Sequence, residues 1–226
     1  MKAQLLTAIC QIPIWFQAIK DVSATKSGIM NIPMVLGVVI CSLLAGALVT
    51  LLGYYTPFML LSPIFMATGA GLLSTMDPET GHPAWIGYQA IYGMGVGLGL
   101  QQPVLAIQAV LPTSDIPTGT AMVMFAQNFG GSIFVSVAQN VFQNKLLTNL
   151  VARVPQIDAR LVVTAGATML RKAVPSDSVS TVIRLYSDAI TEAFYIAVAM
   201  GALAMVGALP VQWISVKGRK LEGGVA

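Results

Sequence analysis

The sequence predicts an all-α polytopic membrane protein, and three observations carry that expectation. Residues 27–76, 80–114, 116–144 and 193–216 contain no Asp, Glu, Lys or Arg. Charged residues make up 9% of the chain and hydrophobic ones 56%, too little charge to cover a watery surface of this size. The 21 glycines and a mean hydropathy of +0.77 suit helices packed closely in lipid. A hydrocarbon layer about 30 Å thick takes about 20 apolar helical residues per crossing, so the first uncharged stretch holds two crossings. A membrane β-barrel would alternate apolar and polar residues in short segments, and that pattern is absent.

The elements follow in order. A first span over 3–19 ends at Trp15-Phe16-Gln17, where the aromatic rings suit a membrane interface. Its beginning superficially resembles a secretion signal, but Gln4 and Gln11 interrupt the apolar run, and it reads as a clipped first membrane helix. A second span covers 28–52 and stops at Gly53-Tyr54-Tyr55-Thr56-Pro57, a tight turn with interfacial tyrosines. A third covers 57–76 and ends in Asp77-Pro78-Glu79-Thr80-Gly81-His82-Pro83, whose Pro and Gly mark an exposed loop. The fourth runs 85–111, the fifth 118–143 after the turn at Pro112–Pro117, and the sixth 189–214. Together they form a six-helix bundle.

Between the last two spans lies a hydrophilic extramembrane loop, 145–188, with five Lys/Arg beyond Lys145. Val179, Val182, Ile183, Tyr186 and Ile190 recur there at helical spacing. They predict a short amphipathic helix, either lying on the membrane surface or continuing the last span into water. Lys217, Arg219 and Lys220 make 215–226 a cytoplasmic tail, which puts the N-terminus inside and the long loop outside.

Span four carries Gly93, Gly95, Gly97 and Gly99, pairs four apart that let a neighbouring helix pack backbone to backbone. A nucleotide-binding reading fails because Leu98 stands where the motif needs glycine and no strand precedes it. Gln101 and Gln108 are seven apart on one face, with Pro103 able to bend the helix between them. Amides are costly in hydrocarbon unless they pair or meet water, so these two face either other helices or a substrate. Span five carries a polar stripe, Asn128, Ser132, Ser136, Gln139 and Gln143, at spacings of 4, 4, 3 and 4. Five polar groups along one face read as the wall of a wet pathway, with Gly130 and Gly131 a flexible or close-packed point beside it. Met122, Met124, Met200 and Met205 read as core filling, although methionine also suits adaptable pockets.

Absences narrow the function. The middles of spans two to five hold no ionisable acid or base; only Asp188 and Glu192 come near the last span. His82 is the single histidine and sits in a loop, so the clustered nucleophiles, acids or ligands of an enzyme or a metal site are not in view. No cofactor is called for. Cys10 and Cys41 lie in apolar sequence and indicate no disulfide framework. A net charge of +3, dispersed, gives no footprint for nucleic acid.

Three stretches carry a family likeness: Pro13-Ile14-Trp15-Phe16-Gln17-Ala18-Ile19-Lys20 followed by Ser27-Gly28; Trp85-Ile86-Gly87-Tyr88-Gln89 leading through the glycines to Gln101-Gln102-Pro103; and Gly130-Gly131 to Ser136-Val137-Ala138-Gln139-Asn140. With the long loop ending in Tyr186-Ser187-Asp188-Ala189, they resemble the C-terminal half of a major facilitator superfamily transporter, in its fourteen-span drug:proton antiporter branch. The family's signature loop is only echoed: Gly46 and Gly53 keep its frame, while Thr50 and Tyr54-Tyr55 replace its charges. The resemblance implies two six-helix bundles around a midplane cavity and efflux of small, mostly apolar compounds. It also implies a proton gradient as the drive, an N-terminal half as partner, and a plasma membrane or organellar location. Two alternatives stand beside transport: a truncated, non-transporting fragment, and a helical membrane scaffold.

Overall fold

A computed structural model describes residues 2–215; the predicted tail, apart from Ser215, lies outside the described residues. Nine α-helices are described: α1 Lys2–Lys20, α2 Ala24–Met30, α3 Ile32–Leu52, α4 Thr56–Leu73, α5 His82–Gly99, α6 Gln102–Val110, α7 Ile116–Arg153, α8 Ala159–Ala173 and α9 Val179–Ala208. Among the described residues the only β-pairing is an isolated bridge between Tyr54 and Ser215. Among the described residues five helical stretches are long and apolar enough to cross a membrane: 24–52, 56–73, 82–110, 116–153 and 176–208. Helix α1, outside these five as α8 is, carries Gln4, Gln11 and Gln17 and packs against α7, α8 and α9.

Helix ends follow from local chemistry. Gly53 closes α3 in the left-handed region (φ 83°), a conformation that costs glycine nothing, and its N–H returns to the Val49 carbonyl. Ser23 caps α2 by accepting from the Lys26 N–H. Span four breaks at Leu100–Gln101, just before Pro103. Proline lacks an N–H and its ring clashes with the carbonyl four residues back, which is that of Gly99, the last residue of α5. Asp21 takes a left-handed φ of 54° after α1, which a short polar side chain tolerates.

Helix α5 sits between α3 and α4; α4 packs in turn on α9, and α9 on α7 and α1. The glycines explain how α5 gets so close. A Cβ at Gly93 would strike the Met34 carbonyl oxygen; at Gly95 it would lie 2.5 Å from the Met66 nitrogen and at Gly97 2.5 Å from the Val38 carbonyl oxygen. Gly69 of α4 answers with its own missing side chain, 2.6 Å from the Tyr92 backbone. Gly99 is also buried, whereas a Cβ on Gly130 would meet nothing and its neighbour Gly131 is buried in α7. Ser62 ties α4 to α5 by donating to the Gly95 carbonyl at 2.6 Å.

Several charged residues gather at one end. Lys20 donates to the carbonyls of Pro78 and Thr80, Arg184 pairs with Glu79 at 2.9 Å, and Arg171 pairs with Asp21 at 3.4 Å. This end joins the C-termini of α1 and α4 to the N-termini of α5 and α9, so α1 and α5 run in opposite directions. At the other end the Tyr55 hydroxyl donates to the Gln212 carbonyl.

Several expectations change. Trp15 and Phe16 are fully buried rather than interfacial, because α7, α8 and α9 surround α1. Phe16 meets Trp85 edge to face at 4.9 Å. Tyr55 is buried too, while Tyr54 is exposed. Met122 and Met124 are exposed on α7 rather than core filling. The stretch between the last two spans is mostly helix: α7 continues through Lys145 to Arg153, and α8 follows with Ala159, Val162 and Leu170 turned inward. The periodic segment from Val179 belongs to the same continuous helix as the last span, so the surface-lying version of that helix gives way to its extension. Val182, Ile183, Tyr186 and Ile190 are buried there by packing on the bundle.

Replacing Gly93 or Gly97 by Val forces α3 away from α5 and should cost about 1–3 kcal/mol of overpacking. Gly130→Ala, facing open space, should cost nothing by the same mechanism. Thermal unfolding in detergent, followed by size-exclusion profile, checks the contrast; equal midpoints for all three would contradict the packing described.

Candidate functional site

The predicted polar stripe lies on α7, one of the two least buried of the five apolar stretches. Asn128, Ser132 and Ser136 are exposed, and Asn140, which the sequence reading left off the stripe, is exposed with them. Three of them bond back to the preceding turn: Ser132 Oγ donates to the Asn128 carbonyl at 3.1 Å, Ser136 Oγ to the Ser132 carbonyl at 2.9 Å, and Asn140 Nδ2 to the Ser136 carbonyl at 2.9 Å. Such back-bonding satisfies a hydroxyl within its own helix. Gln139 and Gln143 are half-buried, close to the inward-facing Ala138 and Phe142. Phe129, Ile133 and Val137 join Ser132, Ser136 and Asn140 around a shallow groove. Above it Phe125 and Phe129 stack at 5.6 Å, with the exposed Met122 and Met124 alongside. Amide, hydroxyl, aromatic and thioether groups therefore share one outward surface.

That surface contrasts with α3, the other outer helix. Leu36, Val39, Leu43, Leu51 and Leu52 are exposed there, and acyl chains are as apolar as they are.

Span four's amides part company. Gln101 is exposed at the break between α5 and α6, and Gln108 is half-buried on α6. The first turns of α7 sit against α6, where a Cβ on Gly119 would meet Ile107 and Leu111. The buried amide is Gln102, whose Nε2 donates to the Leu98 carbonyl at 2.9 Å.

The sequence reading missed an interior polar set. Gln4, Thr7 and Gln11 are buried at helical spacing on α1, and Gln4 Nε2 donates to the Ala197 carbonyl of α9 at 2.9 Å. Farther along, Trp15 Nε1 donates to Ser187 Oγ at 3.0 Å, pinning α1 to α9. Gln89 and Tyr92 are fully buried on α5. The 3- and 4-residue spacing of Gln4, Thr7 and Gln11 was the available signal; for Gln89 none distinguished it from Tyr88. Of the two acids near the last span, Glu192 pairs with Lys145 at 2.9 Å across α9 and α7. Asp188 lines a charged hollow with Asp77, Glu79, Arg153 and Arg184. Among the described residues no group of three His, Cys, Asp or Glu could hold a metal ion.

Curated relatives extend this picture. The chain is 58% identical over 221 residues to MFS-type transporter astH of Aspergillus oryzae, a match covering 98% of this chain and 39% of that protein. The chain belongs to the MFS-type transporters. It is 49% identical over 209 residues to efflux pump roqT of Penicillium rubens, covering 92% of this chain and 39% of the pump. It is also 49% identical over 203 residues to MFS acetylaranotin efflux transporter ataA of Aspergillus terreus, covering 90% and 45%. No family model matches. This member of the MFS-type transporters spans about two fifths of the length of the curated relatives it matches, as a C-terminal half would. It is an integral, multi-pass membrane protein.

The Trp15–Ser187 bond yields a checkable number. Trp15→Phe and Ser187→Ala, alone and together, should give a coupling energy of about 0.5–1.5 kcal/mol in a double-mutant cycle of thermal unfolding. A coupling of zero would mean that the two groups do not meet.

Proposed function

We propose that this chain is the substrate-facing C-terminal half of a proton-driven efflux transporter for small, mostly apolar compounds, working in the plasma membrane. The observation that carries the reading is the outward surface of α7. There a ladder of Asn128, Ser132, Ser136 and Asn140 runs beside Phe125, Phe129, Met122 and Met124. A helix face meant for lipid would look like that of α3. A face meant for a compound with a large apolar body and a few polar atoms needs rings, thioethers and amides together. The printed names of the relatives, efflux pumps among them, support the same direction.

Gln139 and Gln143 at the flank of that ladder, and Gln101 at the α5–α6 break, are the amides best placed to meet a moving compound without opening the core. In the full-length parent, Gln139→Leu, Gln101→Leu and Ser136→Leu should each lower export about tenfold at unchanged protein level, the effect of about 1.4 kcal/mol in a binding step. Unchanged export by all three would show that these side chains only pack.

A second reading rests on length. Alternating access rocks one repeat against another, and these 226 residues hold one bundle. Vesicles containing this chain alone should therefore show no gradient-dependent efflux; efflux from them would overturn the need for a second bundle.

A further inference from the structure

We propose that the chain leaving α9, together with the α3–α4 turn, forms a docking surface for anionic lipid headgroups, with Trp213 and Tyr54 as its anchors. Topology sets the place. Helix α3 ends at Leu52, α4 begins at Thr56 and α9 ends at Ala208. All three belong to stretches long and apolar enough to cross a membrane, so the segments joined to these ends emerge together at one membrane surface. Leu51, Leu52 and Leu209, exposed at those ends, belong among acyl chains, which leaves the residues just beyond them at headgroup level.

The segment is tied down, not trailing. Pro210 has no N–H with which to continue α9, and the chain turns across the end of the bundle. The Tyr55 hydroxyl donates to the Gln212 carbonyl at 2.9 Å, and Thr56 Oγ1 approaches the same oxygen at 3.5 Å. Ser215 pairs with Tyr54 in the antiparallel bridge, and Val211 packs against the small apolar cluster of Tyr55, Phe58 and Ala109. Trp213 is therefore fixed by its neighbours on both sides, at Gln212 and at Ser215, yet it stays 63% exposed. Tyr54, across the bridge, is exposed as well. An indole held this way suits an interface: its apolar body meets the acyl boundary and its N–H meets water or a headgroup oxygen.

Charge selects the headgroup. The sequence runs on from Ser215 with Lys217, Arg219 and Lys220 against a single acid, Glu222. Cations clustered directly beyond a membrane interface attract anionic lipid. The opposite end of the bundle offers no such match. Its tryptophans, Trp15 and Trp85, are buried, and Lys20, Arg171 and Arg184 already meet acids or carbonyls of the chain.

Tryptophan fluorescence reads this surface directly, because Trp213 alone of the three tryptophans is exposed. The whole chain is placed in vesicles of equal parts phosphatidylcholine and phosphatidylglycerol, with brominated acyl chains on one lipid or the other. Bromine on the phosphatidylglycerol should quench about twofold more strongly than bromine on the phosphatidylcholine, the mark of an anionic shell around the ring. Trp213→Phe should remove the difference. Lys217→Gln/Arg219→Gln/Lys220→Gln should equalise the two lipids while quenching persists. Equal quenching in the unaltered chain would overturn the headgroup preference. No quenching by either lipid would overturn the surface itself, leaving water or another protein against Trp213. A difference that survives either variant would equally contradict the assignment.

Discussion

Along α5 the backbones of α3 and α4 come so near that no Cβ fits at Gly93, Gly95 or Gly97. In lipid there is little hydrophobic drive between helices, so association rests on contact of this kind and on the few hydrogen bonds that cross it. Ser62 to the Gly95 carbonyl is one such bond, and it can form only because the glycine lets the helices meet. The remainder of the bundle is arranged around this three-helix layer. Helix α4 passes its other side to α9, where Gly201 accommodates Ala67, and α9 holds α1 through Ser187 and Ala197.

Because α1 is enclosed and α5 is sandwiched, the outward surfaces fall mainly to α3 and α7, and these differ in kind. The α3 face is aliphatic, matching acyl chains. The α7 face mixes hydroxyls and amides with stacked rings. The intrahelical bonds of Ser132 and Ser136 lower the cost of that polarity while leaving lone pairs free to meet a ligand.

Much of this was legible in the sequence, for identifiable reasons. Charge-free stretches mark helices in lipid because each charge there is expensive, and the glycine spacing in span four marks its packing face. In span five Asn128, Ser132 and Ser136 are exposed, as positions three or four apart on one face of a loosely packed helix can be. Gln139 and Gln143 are half-buried, a difference within the stripe that its spacing does not express. Trp15, Phe16 and Tyr55 were misplaced for a related reason: an aromatic ring at a helix end is equally at home at an interface or in a core, and only the neighbours choose. Gln89 was invisible because burial of an amide leaves no trace in periodicity. The long hydrophilic stretch hid all of α8 and the ends of α7 and α9, which carry their apolar faces beyond their uncharged lengths.

The difference between the α3 and α7 faces can be measured most directly by spin-label collision accessibility in the reconstituted full-length parent. Cys10 and Cys41 would be replaced by Ser and single labels placed at Leu43 and Ser136. A label at Leu43 should collide with oxygen, which concentrates among acyl chains, and one at Ser136 with a water-soluble nickel chelate. Oxygen dominance at both positions would mean that α7 faces lipid, and the account of its polar surface would be contradicted.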